Sequence, residues 1–358
     1  MLNVSLETRP VAVIFAGGQG MRLWPASTRS LPKQVSPIFS KKTLVREAFE
    51  RALTIFPQDR IVIVTTKDLE EKIKKIIPLP AKNFIVQPKN ADTATAMCLT
   101  ALHLETLFPE SIAVLLYSDH KIAKLQDFKE AVKQAIQIAD RYNTLVTIGT
   151  VPTTASTQFG YIELADPQAE RNVYRAGIFK EKPELTLAKR YVTSGRYVWN
   201  TGVYIWKTSV LLNMLKEVAP EHYERLVHLR VFIGGENYAQ EVSDWFERVE
   251  PKPFEKVVSE KISDMLVYVA RYSWADVGSW KSVYDLAKKD ANGNVLLDAY
   301  EHGSVRFSHT SGSMVLSQSK NTVLLGMEDT IVIQTDDNLL ICNRKNIDDI
   351  KKVITDLT

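Results

Sequence analysis

Residues 11–25 read VAVIFAGGQGMRLWP, and this stretch decides the fold. Its first six residues form an uninterrupted apolar run that stops at a pair of glycines, which is typical of a strand buried on both faces and leading into a loop. Gly17, Gly18 and Gly20 have no Cβ, so backbone amides at this turn can approach a polyphosphate closely. The stretch therefore predicts a buried strand followed by an anion-binding loop.

Buried-strand patterns recur along the first 150 residues, at 61–64, 112–117 and 144–149. Between them lie segments with apolar residues at three- and four-residue intervals, at 44–56, 68–77, 93–107 and 127–140. Strands that alternate with amphipathic helices predict an α/β fold, with a Rossmann-like, mostly parallel sheet covered on both faces. Ligands of such sheets bind beyond the carboxyl ends of the strands.

The pattern changes after about residue 292. Short β-rich runs at 313–316, 322–325 and 330–333 are separated by turn residues, and helical spacing returns at 346–357. We expect a large domain at residues 1–291, and a small β domain with a closing helix at residues 292–358.

Composition excludes several classes of protein. The 45 basic and 42 acidic residues leave a net charge of +3, which gives no broad basic field for nucleic acid. The cysteines are Cys98 and Cys342, too few for a disulfide framework or a cysteine-rich zinc site. The N-terminus lacks a signal-peptide pattern, and no apolar run reaches the ~18 residues of a membrane span. We expect a cytoplasmic protein with no membrane or nucleic-acid partner.

The glycine loop matches neither familiar phosphate motif, the dinucleotide G-x-G-x-x-G or the ATPase G-x-x-x-x-G-K-S/T. It is followed instead by two cations, Arg22 and Lys33. A guanidinium fork binds phosphate oxygens in pairs, and an ammonium acts as a compact point charge. Spacing alone leaves two interpretations open, a phosphate site or a glycine turn with incidental surface cations.

The stretch 16–34, AGGQGMRLWPASTRSLPKQ, resembles the signature of the sugar-phosphate nucleotidyltransferases, and in particular of the mannose-1-phosphate guanylyltransferases. The resemblance spans most of residues 11–345 in the family's order. It continues through SDH at 118–120, FGYI at 159–162, FKEKP at 179–183, WNTG at 199–202 and WADVGSW at 274–280.

This resemblance implies a reaction in which a sugar 1-phosphate oxygen attacks the α-phosphorus of a nucleoside triphosphate and pyrophosphate leaves. It implies that Arg22 and Lys33 are catalytic, because two anions must be held together. The nucleotide-binding residues that it implies are Ala16, Gly17, Gly18, Gly20, Met21, Arg22, Gln87, Asp92, Thr93, Ser118 and Asp119.

The resemblance also implies a Mg²⁺ ion held by Asp119 and Asp276. The sugar-phosphate-binding residues that it implies are Gly160, Glu181, Lys182 and Asn200. His120 is expected to be structural, since the attacking phosphate is already an anion and has no proton to lose. The tail corresponds to a small left-handed β-helix that packs on the main domain, and a homodimer is expected.

Two departures from the family pattern concern the choice of substrates. Ala91 and Asp92 stand where the family has Arg-Asn, and Asp92 could accept hydrogen bonds from the donor edge of guanine. Glu255 replaces the usual Asp, which moves a carboxyl by one methylene. GTP and mannose 1-phosphate are the leading pair. The alternatives are another base, a heptose or glucose 1-phosphate, or a catalytically silent regulatory paralogue.

Overall fold

The computed structural model describes residues 9–18, 20–301, 303–318 and 321–354. The strands are β1 (Val11–Ala16), β2 (Ile61–Thr66), β3 (Phe84–Gln87), β4 (Ile112–Tyr117), β5 (His120–Ile122), β6 (Val146–Thr150), β7 (Tyr161–Pro167), β8 (Val173–Lys180), β9 (Tyr197–Lys207), β10 (Leu266–Ala270), β11 (Trp274–Asp276), β12 (Val295–Leu296), β13 (Val305–Ser308), β14 (Met314–Ser317), β15 (Thr322–Leu325), β16 (Thr330–Gln334) and β17 (Leu339–Asn343).

The helices are α1 (Leu44–Leu53), α2 (Lys67–Ile76), α3 (Asp92–Leu107), α4 (Leu125–Tyr142), α5 (Leu185–Ser194), α6 (Thr208–Val218), α7 (Pro220–Arg230), α8 (Tyr238–Arg248), α9 (Trp280–Leu286) and α10 (Ile350–Val353). Short 3₁₀ turns lie at Met21–Leu23, Lys33–Val35, Gln58–Arg60, Ala81–Asn83 and Arg344–Asp349, and a π-helical turn lies at Glu255–Ser259. Among these described helices, none combines the length and apolar character needed to cross a membrane.

A nine-stranded sheet in the order β3-β2-β1-β4-β9-β6-β10-β8-β7 forms the main domain. The first four strands of this order are parallel, as the alternation of strand and helix predicts. The sheet then becomes mixed, because β9 runs antiparallel to both β4 and β6 and β7 runs antiparallel to β8. Too few residues separate β7 from β8 for a crossover helix, so these two strands can only form an antiparallel pair.

Strand β1 lies in the middle of the parallel half, between β2 and β4, with all six residues buried. Val11, Val13 and Phe15 pack on the face covered by α3 and α6, while the alternate residues pack on the face covered by α1 and α4. Phe15 lies level with Tyr117 across the sheet. The glycine loop and the residues after β4 therefore leave the sheet side by side.

The tail is β-helix-like. Met314 pairs in parallel with Ile331, and Val305 pairs in parallel with Thr322, a step of 17 residues in each case. Its buried residues pack against the loop after β1 and against α9, in a cluster that contains Leu23 and Trp280. The tail therefore packs against the loop that follows β1.

The closing helix differs from the prediction for residues 346–357. A 3₁₀ turn, Arg344–Asp349, precedes a single helical turn, α10, and residues 355–358 lie outside the described part of the chain. Ile347 and Ile350 are both buried at a spacing of three residues, which suits 3₁₀ geometry.

Candidate active site

The glycine loop is held in one conformation by two residues of the Pro-Lys-Gln segment. The Gln34 side chain donates to the carbonyl of Gly17 at 2.7 Å. Gly20 has a φ of +63°, and a Cβ there would lie 2.7 Å from Cγ of Lys33 and 2.8 Å from Oγ of Ser27. Glycine is required at position 20 because both its backbone conformation and the closeness of Lys33 exclude a side chain.

Lys33 and Asp119 form an ion pair at the carboxyl edge of the sheet. Nζ of Lys33 lies 2.5 Å from Oδ2 of Asp119 and also donates to the carbonyl of Val277 at 3.4 Å. Burial opposes ionisation of Asp119, but the Lys33 ammonium outweighs it and holds the pKa of Asp119 below its usual value. The structure thus joins a predicted catalytic cation to a predicted metal ligand.

Asp276 is brought to the same place by a separate two-stranded ribbon, in which it lies opposite His120. Burial and then the charge of Asp119 raise the pKa of Asp276. Two carboxylates that repel one another in a half-buried site offer the hard oxygen ligands that Mg²⁺ prefers. Within the described residues no cluster of three or more metal-binding side chains occurs. A Mg²⁺ ion bound here would take its remaining ligands from water and substrate phosphates, as Mg²⁺ ions in proteins usually do.

Arg22 lies on the other side of Asp276. A Cβ on Gly278 would lie 2.9 Å from Oδ2 of Asp276 and 3.3 Å from Nη2 of Arg22. Arg22 is exposed and lines a cavity of about 610 Å³ together with Asp276, between the ribbon and the segment 154–159. Gly17, the first glycine of the loop, does not line this cavity.

A cavity of about 230 Å³ lies beyond the ends of β1, β3 and β4. The predicted nucleotide-binding residues that line it are Gly17, Gln87, Asp92, Thr93, Ser118 and Asp119. The other predicted residues do not line it: Ala16 is the buried last residue of β1, and Gly18, Gly20, Met21 and Arg22 continue along the loop.

Asp92 occupies a strained position at the first residue of α3. Its φ is +62°, which is uncommon for a residue with a side chain. Its Oδ1 accepts from the amide of Thr93 at 2.7 Å, and the Thr93 hydroxyl accepts from the amide of Phe254 at 2.8 Å. The start of α3 is thereby tied to the segment that carries Glu255, and the Asp92 carboxyl faces the cavity.

A second cavity, of about 220 Å³, adjoins the first and shares Asp92, Thr93, Tyr117 and Asp119 with it. All of the predicted sugar-phosphate residues line it: Gly160, Glu181, Lys182 and Asn200. A Cβ on Gly160 would lie 2.6 Å from Oε2 of Glu181, and the ammonium of Lys182 lies 3.0 Å from Oε1 of Glu181. Both predicted metal ligands line this cavity, and Asp119 lines the first cavity as well.

The Asn200 amide is committed to bonds inside the protein. Its Oδ1 accepts from Thr147 at 2.8 Å and from the amide of Gly202 at 3.1 Å, and its Nδ2 donates to the Tyr204 hydroxyl at 3.0 Å. These bonds fix the orientation of the amide, so that Asn200 shapes the wall of the sugar cavity while bonding to its neighbours.

His120 is half-buried among aromatic rings. Its ring lies 5.0 Å from that of Tyr117 and 5.0 Å from that of Trp274. Burial lowers the pKa of His120 to about 4, so the imidazole is neutral at physiological pH. The residue also lines the second cavity, and the structural role of His120 stays a prediction.

Sequence reasoning missed Tyr204, Ser259 and Tyr117 as residues of the site, and treated Glu255 only as a departure from the family. Tyr204 follows Asn200 by four positions on β9, and a strand places alternate residues on one face. That periodicity was the available signal for Tyr204. Ser259 reaches Tyr204 only through the π-helical turn, which no sequence pattern indicated.

Comparison with known proteins shows the family of this chain. Residues 11–293 match the family model described as nucleotidyl transferase, and residues 308–357 match a mannose-phosphate isomerase/GMP-like β-helix domain. The mannose-1-phosphate guanylyltransferase of Escherichia coli K12 is 30% identical over 357 residues, covering 97% of this chain and 73% of the relative. The enzyme of the same name from Klebsiella pneumoniae is 30% identical over 349 residues, covering 96% and 72%.

Solved structures agree as well. A crystal structure from Thermus thermophilus, described as a mannose-1-phosphate geranyltransferase, superposes with a TM-score of 0.86 at 26% identity and covers 98% of this chain and 99% of that one. The fold, the site and the relatives point the same way: the chain belongs to the nucleotidyl transferase family, alongside relatives named mannose-1-phosphate guanylyltransferase.

Proposed function

We propose that this protein transfers a nucleotidyl group from GTP to mannose 1-phosphate, giving GDP-mannose and pyrophosphate. The observation that carries the proposal is the meeting of two cavities at Asp119, with Lys33 and Asp276 beside it. One cavity is lined by Gly17 of the glycine loop, and we assign it to the nucleotide. The other is lined by polar residues suited to a sugar phosphate. The identity of both substrates rests on the names of the relatives.

The chemistry requires one bond to form and one to break at the α-phosphorus. A phosphate oxygen of the sugar attacks, the bond to the β-phosphate oxygen breaks, and pyrophosphate leaves with that electron pair. No proton transfer is needed, because the nucleophile is already an anion. The task of the site is to hold two anions in contact and to neutralise their charge, and preorganised cations do this well.

Lys33 and Arg22 are the cations that we assign to this task. Lys33 is nearly buried, its side chain being 12% exposed, and it is fixed against Asp119 and the carbonyl of Val277. Such a fixed ammonium stabilises developing charge without rearranging. Arg22 is exposed beside Asp276 and is free of the rigid packing that holds Lys33. We infer that Lys33 acts at the reacting phosphates and that Arg22 binds the outer phosphates.

We propose that Asp119 and Asp276 hold a Mg²⁺ ion. The chemistry of these two residues fits a divalent cation. Two half-buried carboxylates repel one another, and a bound divalent cation would remove that repulsion. When bound, Mg²⁺ supplies charge neutralisation to phosphate oxygens. The family of nucleotidyl transferases uses a divalent metal in general, and the choice of Mg²⁺ is part of this proposal.

For the base we assign Asp92 and Gln87, which line the first cavity. A carboxylate is an acceptor, and the N2 amino group of guanine is a donor. For the sugar we assign Glu181 and Lys182, with Asn200 and Gly160 shaping the wall.

We also propose that the protein is a cytoplasmic homodimer that contains domains at 1–291 and 292–358. The dimer is supported by four apolar side chains on the outer strands of the tail, each more than half exposed: Val323, Leu325, Leu339 and Ile341. Exposed apolar side chains on a protein surface favour association. Light scattering at micromolar concentration would contradict the dimer if it gave the mass of one chain.

The test of the proposed function is pyrophosphate release across a substrate panel. GTP, ATP, UTP, CTP and dTTP are each combined with mannose, glucose and heptose 1-phosphates in the presence of Mg²⁺. We expect the highest kcat/KM for GTP with mannose 1-phosphate. A preference for a pyrimidine nucleotide would contradict the role of Asp92. Binding of a nucleotide sugar with no release in any combination would identify a silent paralogue.

A further inference from the structure

Glu255 is a buried carboxyl in the wall of the sugar cavity that the proposed reaction leaves without a role. It begins the π-helical turn, is 8% exposed, and lines the same cavity as Glu181 and Lys182. Lys182 pairs with Glu181 at 3.0 Å, and no ion pair among the described residues includes Glu255. Among the described residues, this small cavity, which must also accept a phosphate, is lined by one lysine, Lys182, and by five carboxyl groups: Asp92, Asp119, Glu181, Glu255 and Asp276.

Burial and the charge of Glu181 favour the neutral form of Glu255 and outweigh the neighbouring groups that favour its charged form. The Tyr204 hydroxyl lies 3.3 Å from Oε1 of Glu255 and 3.0 Å from Oγ of Ser259. Tyr204 donates to Glu255, and this hydrogen bond lowers the pKa of Glu255. Burial, and next the charge of Glu181, raise the pKa of Glu255 to about 7.

The other charged or titratable groups around Glu255 are Tyr204, which donates to it, and the residues that line the same cavity: Lys182, Tyr117, His120, Asp92, Asp119 and Asp276. Burial disfavours the charge of Lys182, but Glu181 outweighs it and raises the pKa of Lys182. Burial raises the pKa of both tyrosines well above the usual value. Of these groups, Glu255 is the one whose raised pKa, about 7, falls at the lower end of the range from pH 7 to pH 9.

We propose that Glu255 is a specificity-determining residue that binds the sugar 1-phosphate as a neutral carboxylic acid and donates its proton to a sugar hydroxyl. A carboxylate can only accept hydrogen bonds, whereas a carboxylic acid can also donate. Glu181 as acceptor and Glu255 as donor together form a pair that matches a hydroxyl-bearing ring. The inference rests on the proposed function, because it concerns the sugar cavity of that reaction.

The experiment measures KM for mannose 1-phosphate and KM for GTP at each pH from 7 to 9, by pyrophosphate release. Starting at pH 7 keeps the substrate's phosphate largely dianionic, because its second pKa is about 6. The variants are Glu255→Gln, which keeps a neutral donor at every pH, and Glu255→Asp, which shortens the side chain and keeps the carboxyl. The control is Glu250→Gln, since Glu250 is exposed and pairs only with Lys252 among the described residues.

For the wild-type protein and for the Glu250→Gln control, we expect KM for mannose 1-phosphate to rise at least tenfold from pH 7 to pH 9, with KM for GTP steady. In Glu255→Gln the rise falls below threefold. In Glu255→Asp, KM for mannose 1-phosphate is raised at pH 7 while KM for GTP is unchanged.

Equal slopes in the wild-type protein and in Glu255→Gln overturn the inference and leave the proposed function standing. A KM for GTP that rises together with KM for the sugar phosphate also overturns it. Absence of turnover in the wild-type protein at every pH overturns the proposed function and this inference together. Melting temperatures identify a variant that has failed to fold, in which case the other variant decides.

Discussion

Gly20→Ala tests the claim that the glycine loop holds Lys33 in place. The new methyl group would lie 2.7 Å from Cγ and 2.8 Å from Cβ of Lys33, whereas ordinary contacts of a Cβ begin at 3.4 Å. Lys33 must therefore move by several tenths of an ångström, and its ammonium moves with it. Misplacement of a catalytic group by about 1 Å lowers rates about 100-fold.

A matched control exists at Gly195, the residue after α5. Its φ of +65° is close to the +63° of Gly20, but a Cβ there would meet nothing within 4 Å. Alanine in a left-handed conformation costs about 1 kcal/mol at either position. Gly20→Ala adds the clash with Lys33 and Ser27, which we expect to cost a further ~1 to 2 kcal/mol, as overpacking usually does.

The assay is kcat/KM for pyrophosphate release, with the free energy of unfolding measured in urea on the same samples. We expect Gly20→Ala to lower kcat/KM about 100-fold, which corresponds to about 2.7 kcal/mol of activation free energy. Gly195→Ala should keep the wild-type kcat/KM while losing about 1 kcal/mol of stability. Equal activity in the two variants would show that the loop does not position Lys33.

The remaining predictions concern three side chains. Lys33→Met should lower kcat/KM at least ~1,000-fold in the same assay, because it removes the fixed ammonium and leaves Asp119 without its counter-charge. A loss below tenfold would contradict the catalytic role of Lys33. Glu255→Gln should change the pH dependence of stability: the raised pKa of Glu255 stabilises the wild-type protein below pH 4.5, and that contribution is lost as pH rises to about 7. The variant should therefore gain about 3 kcal/mol over wild type between pH 4.5 and pH 8 in urea unfolding, and equal slopes would contradict the burial of a neutral acid. His120→Phe should keep kcat within about tenfold of the wild-type value, since the reaction has no proton to remove and the contacts between the aromatic rings are retained. Loss of turnover in a folded variant would show that His120 takes part in the chemistry.

The parallel half of the sheet and the family were predictable because local patterns determine them. A six-residue apolar run such as Val11–Ala16 can be buried only in the centre of a sheet, and its glycines mark where it ends. The antiparallel addition of β9 was not predictable, because its eleven residues, Tyr197–Lys207, are nearly all buried and show no alternation that would indicate direction.

Residues of the candidate site were predictable where they end a strand or belong to a motif. Asp119, Glu181 and Asn200 were predicted from such positions, and the structure brings them around two adjoining cavities. The link between Thr93 and Phe254 joins residues 161 positions apart, and no local pattern carries that information. The same holds for the burial that raises the pKa of Glu255.

The central claim is that the α-phosphoryl group of GTP passes to the sugar phosphate. The most direct test uses GTP labelled with ³²P at the α-position, mannose 1-phosphate and Mg²⁺, and separates the products chromatographically. We predict that the label appears in GDP-mannose, that unlabelled pyrophosphate is released in equal amount, and that omission of mannose 1-phosphate abolishes both. Label that appears in GMP or GDP regardless of the sugar phosphate, or that stays in GTP, would contradict the account.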